Sequence, residues 1–155
     1  MIKYIHPVGG ALAILTIATF WFSTVLSELF GSPATITAVK TAIPWGFLVL
    51  IPALAATGGT GFLLSTGRRV GLIATKLKRM QFIAANGFLI LIPSALFLAA
   101  KARIAEFDSA FYLVQAIELA AGATNITLLA LNMRDGLNMK GRFRRRPAAS
   151  AINAG

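Results

Sequence analysis

Glu118 stands deep within a long apolar run of this sequence, residues 109–132. Placing a charge at the centre of a membrane-spanning helix costs about 2.5–3.5 kcal/mol, so a residue kept there invites a functional explanation. Gln115, Glu118, Gly122, Asn125, Leu129 and Asn132 follow one another at alternating steps of three and four, which makes them one stripe of a helix. Four of the six are strongly polar. The stripe is therefore expected to turn inward against neighbouring helices, with Gly122 permitting close approach. The apolar runs contain no Lys or Arg that would neutralise Glu118. Such a carboxyl can carry a proton, bind a cation or accept a hydrogen bond from a lipophilic ligand. Hydrogen-bonded to a carbonyl freed at a kink, it can also serve packing alone.

Other groups fall at a similar estimated depth. By helical rise Glu118 lies about 13 Å in from Ser109, near the level of Ser23, Thr24 and Ser94 and of two prolines, Pro52 and Pro93. Each proline lacks an N–H and frees the carbonyl four residues earlier, on Leu48 and Leu89. Those carbonyls need partners. Together these groups outline a polar chamber. The prolines close a repeated octapeptide, at 46–53 and 87–94, whose copies differ only by Val49/Ile90 and Ala53/Ser94. A second polar level, residues 57–61 with Asn86, Gly87 and Asn125, reads as tight interhelical packing. Thr16, Thr19, Ser23 and Ser27 form a hydroxyl stripe suited to a bundle interior. Glu28 and Lys40 are placed to pair across the connection between the first two runs.

The chain has one histidine, His6, and no cysteine. That excludes paired-histidine haem, imidazole clusters, disulfides and thiolate metal sites. His6 is a candidate lone axial haem ligand, with Met80 or Met133 as a second, but a histidine marking the helix boundary beside Pro7 is the simpler reading. No Ser/His/carboxylate or His-Glu-x-x-His constellation is present, so an enzyme with its own nucleophile or metal is the reading least favoured. No cofactor is expected. Haem or quinone is the minor alternative, quinone because it needs only hydrogen-bond donors and an apolar slot.

The elements that must position these residues follow from composition. Of 155 residues 57% are hydrophobic and 13% charged, with a mean hydropathy of +0.75. A helix needs roughly 20 apolar residues to cross a bilayer, and four runs qualify: 8–30, 43–65, 80–100 and 109–132. The first is read as a retained span, because it lacks a basic lead beyond Lys3 and a small-residue cleavage site. The expected fold is an all-α integral membrane protein. Residues 1–132 form a four-transmembrane-helix bundle with kinked second and third helices, and 133–155 form a basic, unstructured tail.

The formal charge of +10 belongs to topology rather than to nucleic acid. Twelve of the fifteen basic residues fall on one side of the four runs, against Lys40, Lys101 and Arg103 on the other. The positive-inside rule then puts both termini in the cytoplasm, in a bacterial inner membrane. The loop at 66–79 and the tail are expected to meet anionic lipid. Three functions fit. One is a small binding or transport protein with a chamber around Glu118, Ser23, Ser94, Gln115, Asn125 and Asn86. Another is a non-catalytic subunit or assembly factor held in a membrane complex, whereas a homo-oligomer belongs to the binding or transport reading, because four helices give a limited interior. The third is a quinone- or haem-binding redox protein.

Overall fold

A computed structural model describes residues 2–65 and 71–144. Helix α1 spans Ile2–Phe30, α2 Pro33–Ser65, α3 Leu72–Asn86, α4 Ile92–Arg103 and α5 Ser109–Arg144. A π-helical turn, Gly87–Leu91, joins α3 to α4. The described residues thus hold four helices long and apolar enough to cross a membrane: Tyr4–Phe30, Pro33–Leu63, Ile73–Arg103 and Ser109–Asn138. Their number is as expected, and all but the last begin earlier than the apolar runs suggest.

Helix α2 starts ten residues before the run at 43–65 because its start is written in polar chemistry. Ser32 Oγ accepts the Thr35 amide at 3.3 Å, and Pro33 takes the first helical position, where its missing N–H costs nothing. This puts Lys40 inside a span. At the other end of the sequence, α5 runs on to Arg144 instead of stopping at Asn132. The stretch from Met133 onward was expected to be tail, and its residues beyond 144 lie outside the described ones, as do Arg68 and Arg69.

The helices alternate in direction and form a four-cornered ring in which α1 touches α2 and α5, and α4 touches α2 and α5. Helices α2 and α5 stand diagonally opposed and make no close backbone contact. One end of the bundle carries the 31–32 and 104–108 connections and is here called the hairpin end. The opposite one, with residues 2 and 144, is the terminal end. The second connection is tightly built. The amides of Ala105 and Glu106 return to the carbonyls of Ala102 and Lys101 at 3.1 and 3.0 Å, closing α4 by a Schellman turn with Ala105 at φ 53°. Asp108 Oδ1 then accepts the Phe111 amide at 2.9 Å and caps α5.

Apolar side chains dominate the outside of the bundle: Phe22, Leu48, Phe88, Leu89 and Leu113 are all exposed. Inside, Ala13, Ile17, Leu50, Ala53, Ile83 and Leu129 form one core, and Ile36, Leu98, Ala102 and Phe111 a second toward the hairpin end. Lys40, Gln115, Asn125, Asn132 and Asp135 are buried among them. Polar groups inside and hydrocarbon outside is the arrangement that suits a lipid solvent.

The proline positions behave differently from one another. Helix α2 stays α-helical through Pro44 and Pro52. Before Pro93 the backbone instead widens into the π-turn, where the Ile92 amide reaches back five residues to the Gly87 carbonyl. A wider turn relieves the clash between a proline ring and the preceding turn. The two octapeptides therefore differ in backbone, yet their equivalent leucines, Leu50 and Leu91, both point into the central cavity described below.

Candidate functional site

The polar stripe of α5 faces inward along its whole length: Gln115, Gly122, Asn125, Leu129 and Asn132 are buried, and the Glu118 side chain is 12% exposed. Near its middle the bundle encloses a cavity of about 50 Å³. Helix α1 contributes Phe20, Trp21 and Thr24 to its wall, and α2 contributes Ile43, Phe47 and Leu50. Leu91 and Ala95 close it opposite, and Glu118 with Gly122 supplies the α5 side. Its lining is apolar apart from Thr24, the Trp21 ring edge and Glu118.

Glu118 is not alone. Lys40 Nζ donates to Glu118 Oε2 at 2.6 Å and lies 3.4 Å from Thr24 Oγ1. The Lys40 side chain is 0% exposed. This corrects two expectations: a cation does neutralise Glu118, and Lys40 turns to Glu118 rather than pairing with Glu28 across the connection. The cause is the early start of α2, which carries Lys40 down two turns from the hairpin end. A lysine has the length to cross the diagonal that the α2 and α5 backbones leave open. Glu28, one turn beyond Thr24 on α1, adds its field to Lys40, and its Oε1 is buried without a hydrogen-bond partner. Gln115, one turn from Glu118 toward the same end, likewise holds a buried Oε1 with no partner.

The helices around this cluster fit closely. Trp21 Nε1 donates to the Leu119 carbonyl at 3.0 Å, and a Cβ on Gly122 would stand 3.1 Å from Trp21 Cδ1. Gly122 thus permits the close approach expected of it. A Cβ on Gly46 would collide with the Phe20 ring, which packs edge-on against Phe47 at 6.3 Å.

The expected chamber residues are only partly brought together. Glu118 lines the cavity and Gln115 lies one turn away. Ser23 does not line it: it opens on a groove at the hairpin end with Ser27, Gly31 and Thr35, and Thr24 takes the inward place. Ser94 is buried, but Ala95 beside it supplies the cavity wall. Pro52 and Pro93 are exposed on the outer face, as are Leu48 and Leu89, so the proline-freed positions stand away from Glu118. Thr19 is exposed and Thr16 half-buried, and each hydroxyl donates to a carbonyl of its own helix, Leu15 and Leu12, at 2.8 Å, whereas Ser27 of the same stripe is buried.

Asn86 and Asn125 form a separate level. Asn86 Nδ2 donates to Asn125 Oδ1 at 2.8 Å and to the Ala121 carbonyl at 2.9 Å, while Asn125 Nδ2 reaches the Ile83 carbonyl at 3.3 Å. This network ties α3 to α5. Thr57 and Thr60, expected at the same level, meet α1 instead. His6 Nδ1 donates to the Thr57 carbonyl at 3.0 Å and lies 3.2 Å from Thr60 Oγ1. That bond places the proton on Nδ1 and fixes the ring against Gly61, whose Cβ would stand 3.1 Å from it. Of the two methionines considered beside His6, Met80 packs against the core and Met133 is exposed.

No protein family, curated protein or solved structure matches this chain.

The sequence reading missed Lys40 as the partner of Glu118 and missed Trp21, whereas Thr24, expected at the level of Glu118, does line the cavity. The signal for Lys40 was present in the Ser32-Pro33 pair, which opens a helix ten residues ahead of the apolar run. Thr24 and Ser23 differ by one residue, about 100° of helix rotation, and only the packing of α1 against α2 and α5 selects between them.

Proposed function

We propose that this chain is a small multi-pass protein of the bacterial inner membrane, with both termini cytoplasmic, that binds or transports a small ligand through the Lys40–Glu118 site. The observation that carries this reading is a fully buried ammonium held at 2.6 Å by a carboxylate across the diagonal of an otherwise apolar bundle. Burying two charges is expensive, and well-packed apolar residues of similar size would hold helices together as well or better. A charge pair kept at such a place suits a site that exchanges partners with a proton or a small ion. Glu28 stands by as a second carboxylate and Gln115 as an unused acceptor on the hairpin side. The twelve-to-three distribution of basic residues supports the orientation.

The cavity itself, about 50 Å³, has room for water on the scale of one or two molecules. That size favours a proton or small ion over an organic substrate. It also supports a second reading, a non-catalytic membrane subunit whose polar seam only sets helix register.

Reconstitution into vesicles loaded with a pH-sensitive dye distinguishes the two. Under an imposed potential, wild-type protein should carry protons inward, and Glu118→Gln should abolish the flux while the helical circular dichroism is unchanged. Flux no greater than that of empty vesicles overturns transport. A stoichiometric partner retained in mild detergent would then support the subunit reading.

A further inference from the structure

The terminal end holds a polar group that the bundle leaves unused. Asn132 is 7% exposed, and both its Nδ2 and its Oδ1 are buried without a hydrogen-bond partner. Flipping the amide only exchanges the two atoms and satisfies neither. Buried amides ordinarily find partners, so one with a donor and an acceptor both idle points to something that supplies them. The next turn of the same helix face is cationic. Asp135 is buried and accepts Arg79 Nη1 at 2.8 Å, with Arg134 Nη2 at 3.6 Å. Lys76 Nζ rests over Gly136, 3.2 Å from where a Cβ would stand there. Asn132, Asp135 and Gly136 are neighbours at three- and four-residue spacing. Lys76, Arg79 and Arg134 against the single Asp135 leave a positive excess beside the idle amide.

We infer that this face between α3 and α5 binds a phosphate ester carrying a free hydroxyl, and that its source is the headgroup of an anionic glycerophospholipid in the adjoining leaflet. Phosphate oxygens accept from Lys76, from the remaining guanidinium N–H groups of Arg79 and from Asn132 Nδ2. The headgroup hydroxyl donates to Asn132 Oδ1. Basic pockets between membrane helices are suited to such headgroups. The inference rests on the chain spanning a membrane and is independent of the Lys40–Glu118 site, which lies toward the opposite end.

The test is native mass spectrometry of the protein, released from detergent after incubation with phosphatidylglycerol, phosphatidylcholine, phosphatidylmethanol or free glycerol phosphate. Wild-type protein should retain phosphatidylglycerol over phosphatidylcholine. Lys76→Gln should weaken that retention about fivefold, the effect of one basic residue at a membrane surface. Asn132→Ala should remove the preference for the hydroxyl-bearing headgroup over phosphatidylmethanol, an anionic phosphodiester with no free hydroxyl. Lys101→Gln, at the hairpin end, should change neither. Equal retention by wild type and Lys76→Gln overturns the site, and this variant alone decides if Asn132→Ala does not fold. Free glycerol phosphate binding as tightly as the lipid overturns the lipid source. Protein recovered in the aqueous fraction without detergent overturns the membrane reading itself, whereas protein that needs detergent but retains both lipids equally overturns only the headgroup site.

Discussion

Lys40 Nζ stands 2.6 Å from Glu118 Oε2, although the helices that carry them occupy opposite corners of the bundle. The pair is thus a strut through the interior, and its energetics should show the asymmetry of buried charges. Removing one partner strands the other in an apolar surround. Lys40→Met or Glu118→Leu alone should cost about 3–5 kcal/mol, while the double replacement should be close to neutral or stabilising. Unfolding in a denaturing detergent, measured for the two single variants and the double, gives the coupling directly. Additive losses would show that the two side chains act independently.

The Schellman turn that ends α4 places Ala105 at φ 53°, in the left-handed region where a Cβ costs roughly 1 kcal/mol or more. Glycine relieves that strain but loosens the unfolded chain. Ala105→Gly should therefore stabilise the protein by a net amount of about 0.5–1 kcal/mol. A rise in thermal midpoint with unchanged helix content would be the sign, and a fall would mean that the turn is not strained.

Asp108 should give the hairpin end a pH dependence. Its carboxyl accepts Lys101 Nζ at 2.6 Å and the Phe111 amide at 2.9 Å, and these bonds hold its pKa below the ordinary 3.8. A carboxylate depressed in the folded state contributes stability that is complete above the unfolded value and is lost as pH falls through the folded one. Stability should accordingly be flat above about pH 5 for this group and decline below pH 4. Asp108→Asn, which can still cap α5, should lower stability at neutral pH and flatten that decline. An acid-unfolding series that superimposes on wild type would rule the contribution out.

The number of membrane-length helices and the inward stripe of α5 were readable because both depend on local periodicity, and residues 115 to 132 turn inward as their spacing requires. The start of α2 was not visible to a hydropathy window, because Ser32, Pro33, Thr35 and Lys40 are polar or breaking residues that nonetheless build a capped helix. A hydropathy window therefore places Lys40 in a loop and leaves Glu118 without its partner. The hydroxyl stripe of α1 was legible only in part: Ser27 is buried, whereas Thr16 and Thr19 satisfy themselves on their own backbone and need no interior. Pro52 and Pro93 lie on the outer face, and before Pro93 the backbone takes a π-turn that relieves the clash of its ring.

The reach of Lys40 to the last helix also bears on how the chain is made. In the proposed membrane setting, α1 and α2 leave the ribosome before α5 exists, so the ammonium first enters the bilayer boundary with only Thr24 and Glu28 beside it. Its side chain can then lie along α2 with the charge at the hairpin surface. Only when Glu118 arrives, on the fourth of these spans, can that charge move inside and α2 reach its final depth. The depth of the second span would then be set only by the fourth, and a chain truncated before α5 should leave its second helix shallow.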